Sequence, residues 1–303
     1  MRITSCLFAG AAAIASLGAA PSAPAQTLAD HYDFTIVDFP GAPQTNIFAI
    51  NNRRQYVGAW IDTAGNNHAI FFDGYKLAAL DPTGPIGTSP NSFALSLNNS
   101  GCLVGGFQGG AHFHGFLDCR GHVQQIDFPD ALSTEVFGIN DFGEMIGIYR
   151  DQAKQLHAFR AFRDHFVTDD IPGAVQTIPF SVNDSGTIVG EDITVANTNG
   201  HGYIETLDGR RTIVDAPGAP ANSTFFISAN NAFEILGAFA DASGVQRNFL
   251  VDDGQFLPFD VPASFGSTLT SAQTINDRQD IVGFFNDAAG NGHGFVALRK
   301  VGG

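Results

Sequence analysis

Short runs in which apolar and polar residues alternate follow one another along the whole chain, and each run ends in a turn signal. One run leads into an Asn-x-x-Gly turn, as in Asn140-Asp141-Phe142-Gly143. The next carries a branched apolar pair and a Gly, as in Ile188-Val189-Gly190. Alternation over so few residues, bounded by Asn, Asp, Gly and Pro, is typical of β-strands joined by tight hairpins. The sequence therefore predicts an all-β protein.

This strand pattern recurs six times. The repeats align on an Asn that ends the first strand of each unit: Asn51, Asn98, Asn140, Asn183, Asn230 and Asn276. A period in the forties built from short strands is typical of propeller blades. We therefore predict a six-bladed β-propeller with four-stranded blades, which forms a single domain over residues 26–303.

The two ends of the repeat region predict how the ring closes. The sixth unit stops after its third strand, near Phe295, whereas residues 34–38 form a strand that precedes the first unit. We expect this N-terminal strand to pair beside the strand containing Phe295, which would close the ring and leave no open array of sheet edges.

The N-terminus and the cysteines predict an exported protein. Residues 1–25 combine a basic start, an apolar run and a small-residue site, which predicts a signal peptide cleaved after Ala25 and a secreted or periplasmic location. Cys102 and Cys119 remain after cleavage, and an even count in an exported chain predicts a disulfide across one hairpin. The formal charge of −15 disfavours nucleic acid as a partner, and no later segment predicts membrane insertion.

Three phrases give the chain a family resemblance. They are His157-Ala158-Phe159, Asp-x-Pro-Gly-Ala and Ile-Asn-Asp, and the repeats that carry them cover residues 34–298. In these sequence motifs the chain resembles the HAF-repeat family of exported bacterial proteins. The resemblance implies a repeated, exported fold and implies no particular activity.

A His begins the third strand in five units, at His68, His114, His157, His201 and His293. Blades lie about 10 Å apart at this radius, so neighbouring imidazoles are too distant to share one metal ion. We predict a structural ring in which each His bonds a backbone or hydroxyl partner. We expect no metal and no cofactor; calcium at the Asp-x-x-Gly turns is the alternative, although these turns lack the ligand spacing of calcium loops.

The positions before each Asn predict what faces the central axis. The second residue back is small, and the sixth is Thr or Ser, as at Thr45, Thr134 and Thr177. In a regular strand these positions share one side. We therefore expect the Thr residues to ring the mouth of the channel and the large residues between them to pack between blades.

Breaks in the repeat predict the ligand site. Glu191 and Asp192 follow Gly190, where other units have aromatic residues, and the loop over residues 83–91 is unusually long. These features and Glu135 are expected on the face where the first strands begin, and functional residues concentrate on such loops. We predict a ligand on this face at Glu135, Glu191 and Asp192, above Thr45, Thr134 and Thr177.

The function class is less constrained than the fold. The chain contains no nucleophile elbow, no zinc-protease helix motif and no phosphate-binding loop. This favours a non-catalytic, monomeric propeller whose loop-rich face binds an unknown protein or a small polar ligand. The first alternative is a carbohydrate-active hydrolase or lyase that uses carboxylates at the channel mouth on the loop-rich face. A structural envelope protein is the second.

Overall fold

The structure is a computed structural model that describes residues 28–80, 91–194 and 200–300. The predicted signal peptide and most of the predicted loop over residues 83–91 lie outside these residues. The described residues contain two short 3₁₀ helices, Leu28–His31 and Ala263–Phe265. All other regular elements are β-strands.

The strands fall into the six sequence repeats, which we call units 1 to 6. Unit 1 contains β2 (Gln44–Ile50), β3 (Tyr56–Ile61), β4 (Asn67–Phe72) and β5 (Leu77–Ala79). Unit 2 contains β6 (Ser92–Leu97), β7 (Cys102–Gly109), β8 (His112–Cys119) and β9 (His122–Ile126). Unit 3 contains β10 (Ser133–Ile139), β11 (Glu144–Arg150), β12 (Leu156–Phe162) and β13 (His165–Thr168).

The second half of the chain repeats this arrangement. Unit 4 contains β14 (Gln176–Val182), β15 (Ile188–Ile193), β16 (His201–Glu205) and β17 (Arg211–Val214). Unit 5 contains β18 (Thr224–Ala229), β19 (Ile235–Ala240), β20 (Gln246–Asp252) and β21 (Gln255–Pro258). Unit 6 contains β22 (Leu269–Ile275), β23 (Ile281–Asn286) and β24 (Gly292–Arg299), together with β1 (Tyr32–Val37) from the start of the chain.

The predicted β-propeller class is confirmed, but the predicted six separate sheets are not. Units 2, 3, 4 and 5 each form a separate four-stranded sheet, which gives four separate blades. Units 1 and 6 belong to one eight-stranded sheet, because a single parallel bridge joins Gln44 of β2 to Gly292 of β24. Each half of this sheet still has the four-stranded pattern of the other units.

The predicted closure by the N-terminal strand is present. β1 runs antiparallel to β24 along its whole length, with Thr35 opposite Val296 and Ile36 opposite Phe295. The strand missing from the end of the sixth repeat is therefore supplied from the start of the chain. This pairing covers the edge of β24 that would otherwise be open.

The Asn that ends each first strand joins neighbouring units. Its Oδ1 accepts backbone N–H groups of its own turn, as Asn183 does from Ser185 and Thr187. Its Nδ2 donates to the carbonyl of the equivalent Asn in the next unit, and Asn276 donates to Asn51, so that six bonds form a closed ring. We call the side of the propeller that carries these turns the turn face and the opposite side the loop face.

A β-bulge interrupts the first strand of every unit and corrects the predicted channel lining. The extra residue is always the third before the Asn, such as Phe180 between Pro179 and Ser181. A bulge shifts the alternation of side chains by one position. Residues before and after it therefore do not share one side, and the sixth residue back does not face the same way as the second.

The disulfide is confirmed, with Cys102 and Cys119 bonded at opposite positions of β7 and β8. Such a bond is typical of proteins from oxidising compartments. In the part of the chain that the structure describes, no helix is long and apolar enough to cross a membrane.

Candidate functional site

The described residues line cavities at two different places on the propeller. One lies on the central axis at the turn face and has a volume of about 100 Å³. The other has a volume of about 400 Å³ and lies between units 4 and 5, towards the loop face. We call the first the axial cavity and the second the interunit cavity.

The axial cavity is surrounded by side chains that already bond one another. The residue after each ring Asn accepts the backbone N–H of its counterpart in the preceding unit, and this second ring also closes: Asn52, Asn99, Asp141, Asp184, Asn231 and Asp277. Further side-chain bonds connect it, such as those from Asn231 Nδ2 to Asp184 and Asp277. The carboxylates are therefore occupied in holding the ring together.

The interunit cavity combines aromatic and polar side chains from two neighbouring units. Phe180 and Glu191 line it from unit 4. Unit 5 contributes Phe225, Ala240, Gly244 and Gln246. The rings of Phe180 and Phe225 are in contact, with centroids 6.4 Å apart. This is the face on which the sequence predicted a ligand.

The local strand geometry places these groups at the cavity. Phe180 is the bulge residue of β14, so it is released from the regular alternation. Glu191 lies on β15 directly opposite Ile178. At this repeat position the other units have uncharged residues: Ala59, Gly106, Ile148, Ala238 and Phe284. Only unit 4 therefore brings a carboxylate to this position.

Glu191 is a buried carboxylate without a cationic partner. Its side chain is 9% exposed, and Oε1 accepts the backbone N–H of Gly200 at 2.7 Å. Among the described residues, no basic side chain forms an ion pair with it. Burial raises the pKa of Glu191, and the hydrogen bond from Gly200 only partly opposes this rise. The carboxylate is therefore held at a cost in a cavity wall, as is common at binding sites.

Asp192 lies next to Glu191 in the sequence but does not line the cavity. It is 5% exposed, and its Oδ1 has no hydrogen-bond partner in the part of the chain that the structure describes. Burial raises its pKa, while the charges of His201 and Arg211 lower it. Because successive strand residues point to opposite sides, the predicted pair of Glu191 and Asp192 does not act at one place.

The other predicted ligand residues are also placed apart from the interunit cavity. Glu135 is half-buried on β10 of unit 3, and burial raises its pKa although Arg150 opposes this. Thr45, Thr134 and Thr177 are each 1% exposed. Their hydroxyls accept backbone N–H groups at the start of their units, as Thr177 does from Ile171 at 2.8 Å. These Thr residues therefore do not ring an open mouth, because the bulge separates them from the axis-lining positions.

The five His residues of the predicted structural ring bond Asp side chains, not the backbone or hydroxyl groups that the sequence predicted. Each Nδ1 that the structure describes with a partner bonds the Asp that follows the fourth strand of its unit, as in His157 with Asp170 at 2.7 Å. The others are His114 with Asp127, His201 with Asp215 and His293 with Asp38. His68 bonds the turn residue Asp62 through Nε2, and Asp81, the equivalent Asp of its unit, lies outside the described residues.

The His residues pack as separate pairs within their own units. The imidazole of His157 stacks on Tyr149, and that of His68 stacks on Trp60. Partial burial lowers the pKa of His157, but its hydrogen bonds to Asp170 and Asp151 outweigh this and raise it above the usual value. No group of three His, Cys, Asp or Glu side chains suited to one metal ion occurs within residues 28–80, 91–194 and 200–300.

Sequence reasoning found Glu191 but missed its surroundings. The sequence does not distinguish Phe180, Phe225 and Gln246 from residues that pack between blades. The expected side of each residue was based on regular alternation along strands without bulges. The usable signal was the single acidic residue in a position that is uncharged in the other units.

Comparisons with known proteins identify the fold and no family. No protein-family model matches the chain, and no curated protein matches it.

Several solved structures share its fold. A lectin from Aleuria aurantia has a TM-score of 0.53 at 10% identity, with 84% of this chain and 91% of the lectin covered. TolB from Acinetobacter baumannii has a TM-score of 0.51 at 8% identity, with 85% and 64% covered. A gluconolactonase from Xanthomonas campestris has a TM-score of 0.51 at 13% identity, with 86% and 88% covered. At such low identity these similarities establish a β-propeller and nothing further about this chain.

Proposed function

We propose that this protein is an exported, non-catalytic propeller that binds a small ligand of the carbohydrate class in the interunit cavity. The observation that carries the proposal is the meeting of Glu191 from unit 4 with the ring of Phe225 from unit 5 in one open cavity. Membership of the HAF-repeat proteins, secretion and binding without a cofactor belong to the same proposal.

The chemistry of the cavity suits a sugar. A pyranose ring has apolar C–H faces that pack on aromatic rings and hydroxyl groups that donate to a carboxylate. Phe180 and Phe225 provide the rings, whereas Glu191 and Gln246 provide polar groups that fix orientation. A volume of about 400 Å³ lies within the range of small-molecule sites.

The structural comparisons support a binding function without establishing one. The Aleuria aurantia lectin is described in complex with the disaccharide Fucα1-6GlcNAc. Because this chain and that lectin share a β-propeller fold, a sugar-binding role is a reasonable proposal to test.

A hydrolase is the less favoured alternative. Glycoside hydrolysis by the usual mechanisms needs two carboxyl groups that flank the scissile bond. Glu191 lines the cavity, but Glu135 and Asp192 do not. The gluconolactonase that shares the fold keeps enzymatic function as a second candidate, which product analysis after incubation with sugars and lactones would detect.

Titration calorimetry with a panel of monosaccharides tests the proposal. The variants are Phe225→Ala and, as a matched control, Phe142→Ala, whose ring is 71% exposed at an Asn-x-x-Gly turn. We expect a sugar that binds the wild type to bind Phe225→Ala about threefold to tenfold more weakly, because a ring contact contributes roughly 0.5–1.5 kcal/mol. Phe142→Ala should bind normally. Binding of no sugar, or an equal loss in both variants, would contradict the proposal.

A further inference from the structure

We propose that the ligand of the interunit cavity carries a protonated amine, as an amino sugar does, and that Glu191 is the group that pairs with this amine. This inference rests on the proposed function and specifies the chemical class of its ligand. It follows from the hydrogen-bonding capacity that the protein leaves unused around the cavity.

The carboxylate of Glu191 offers acceptors only. Oε1 takes the Gly200 N–H, and Oε2 has no hydrogen-bond partner among the described residues. The other lining residues are Phe, Ala, Gly and Gln, so the part of the wall that the structure describes contains no positive charge. A buried carboxylate is stabilised most by a group that brings both a charge and N–H donors.

The amide of Gln246 is also fixed as an acceptor. Asn248 donates from Nδ2 to the carbonyl of Thr270 and accepts the N–H of Ala272 at Oδ1, which sets its orientation. Oδ1 of Asn248 must then receive a donor from Gln246, and Gln246 Nε2 lies 3.1 Å from it. The same Nε2 lies 3.3 Å from Ser271 Oγ. The donors of this amide are therefore used outside the cavity, and its carbonyl oxygen remains.

The backbone donors nearest the cavity are used in the same way. The N–H of Ala240 bonds the carbonyl of Ser223, and the N–H of Gly244 bonds the carbonyl of Asp241. A sugar hydroxyl both donates and accepts, whereas an ammonium group donates only. An ammonium group therefore donates to these acceptors and, unlike a hydroxyl, has no lone pair that would need a donor from the protein.

The aromatic side chains strengthen this selection. Phe180 and Phe225 line the same cavity as Glu191, and an aromatic face attracts a cation through its quadrupole. The attraction is larger where water is excluded. A neutral ligand would gain the ring contact but would leave the Glu191 charge without a counter-ion.

Three probes separate this inference from the proposed function: glucosamine, N-acetylglucosamine and glucose, titrated at pH 7 against the wild type, Glu191→Gln and Glu135→Gln. We expect glucosamine to bind the wild type roughly tenfold or more tightly than either neutral sugar. Glu191→Gln should lose roughly that factor for glucosamine. Glu135→Gln removes a half-buried carboxylate that does not line the cavity and should bind like the wild type.

The outcomes are distinct. Equal binding of the three probes, or unchanged glucosamine binding by Glu191→Gln, would overturn the amine inference and leave a carbohydrate-binding cavity in place. Binding of none of the probes would overturn the inference, and failure of the whole sugar panel would overturn the proposed function as well. A circular dichroism spectrum of each variant shows whether it keeps the fold.

Discussion

Replacing Glu191 with Gln should make the protein more stable at neutral pH, although it should weaken binding. The side chain is 9% exposed and has no cationic partner among the described residues, so its charge is poorly solvated. Such an ion carries an effective penalty of several kcal/mol, of which a hydrogen bond to the charge returns about 1.5–3 kcal/mol. Gln keeps a neutral form of the bond from Gly200, and the net gain is about 1–2 kcal/mol.

The pH dependence of this gain is fixed by the direction of the pKa shift. Burial raises the pKa of Glu191 in the folded protein. The folded state therefore binds a proton more readily than the unfolded state, and the penalty on stability is present only where the folded state is charged. We expect the difference between Glu191→Gln and wild type to be full above the raised pKa and to vanish below the ordinary glutamate value of about 4.3.

Thermal and urea unfolding at pH 7.5 and pH 4 measure the effect. A gain of this size corresponds to a rise in Tm of about 2–8 °C at the higher pH. Glu205→Gln is the matched control, because Glu205 is 3% exposed but paired with Arg211. Burial also raises the pKa of Glu205, but the hydrogen bond and the charge of Arg211 oppose this rise, so Glu205→Gln should gain less stability at pH 7.5 than Glu191→Gln. A Glu191→Gln variant that is less stable than the wild type at pH 7.5 would refute the reasoning.

Three further predictions concern the scaffold. His157→Ala should lower the free energy of unfolding by about 1–3 kcal/mol, because it removes the bond to Asp170. Since the pKa of His157 is raised in the folded protein, this loss should be full below about pH 6 and should shrink as the pH rises through the folded pKa. A loss in urea unfolding that does not depend on pH would argue against a charged pair. Double substitution of Cys102 and Cys119 by Ser should lower stability by about 3 kcal/mol, and non-reducing mass spectrometry of the wild type should find no alkylatable thiol in the mature chain. Asn183→Ala removes hydrogen bonds within its turn and to unit 5 and should lower the free energy of unfolding by about 2–4 kcal/mol. A loss under about 0.5 kcal/mol in a thermal melt would show that the fold does not depend on the closed ring of Asn bonds.

Architecture was largely readable from the sequence because every repeat carries the same turn chemistry. The shared Asn specifies a tight turn through local hydrogen bonds, as the bonds to Asn183 Oδ1 show. The Gly three residues later occurs only in units 2, 3 and 4, and Arg54, Phe233 and Gln279 adopt the positive φ at this position in the other units. The orphan strand at residues 34–38 pairs with β24 as expected. The link between units 1 and 6 depends on one bridge from Gln44 to Gly292, which no local pattern reveals.

The candidate site was readable only in part. Glu191 broke the repeat and was identified for that reason. Phe180 and Phe225 were not, since their exposure to a cavity depends on a bulge and on the fit between units 4 and 5. The same bulge explains why Thr177 was placed at the channel mouth but is buried against Ile171. Local chemistry predicts turns, whereas side-chain direction after a bulge depends on tertiary packing.

A crystal structure of the protein grown with glucosamine tests the central claim most directly. The claim predicts the sugar between units 4 and 5, with its ring beside Phe180 and Phe225 and its amine nitrogen within about 3 Å of a Glu191 carboxylate oxygen. Sugar bound instead in the axial cavity at the turn face, or an empty interunit cavity at a concentration that saturates binding in solution, would contradict it.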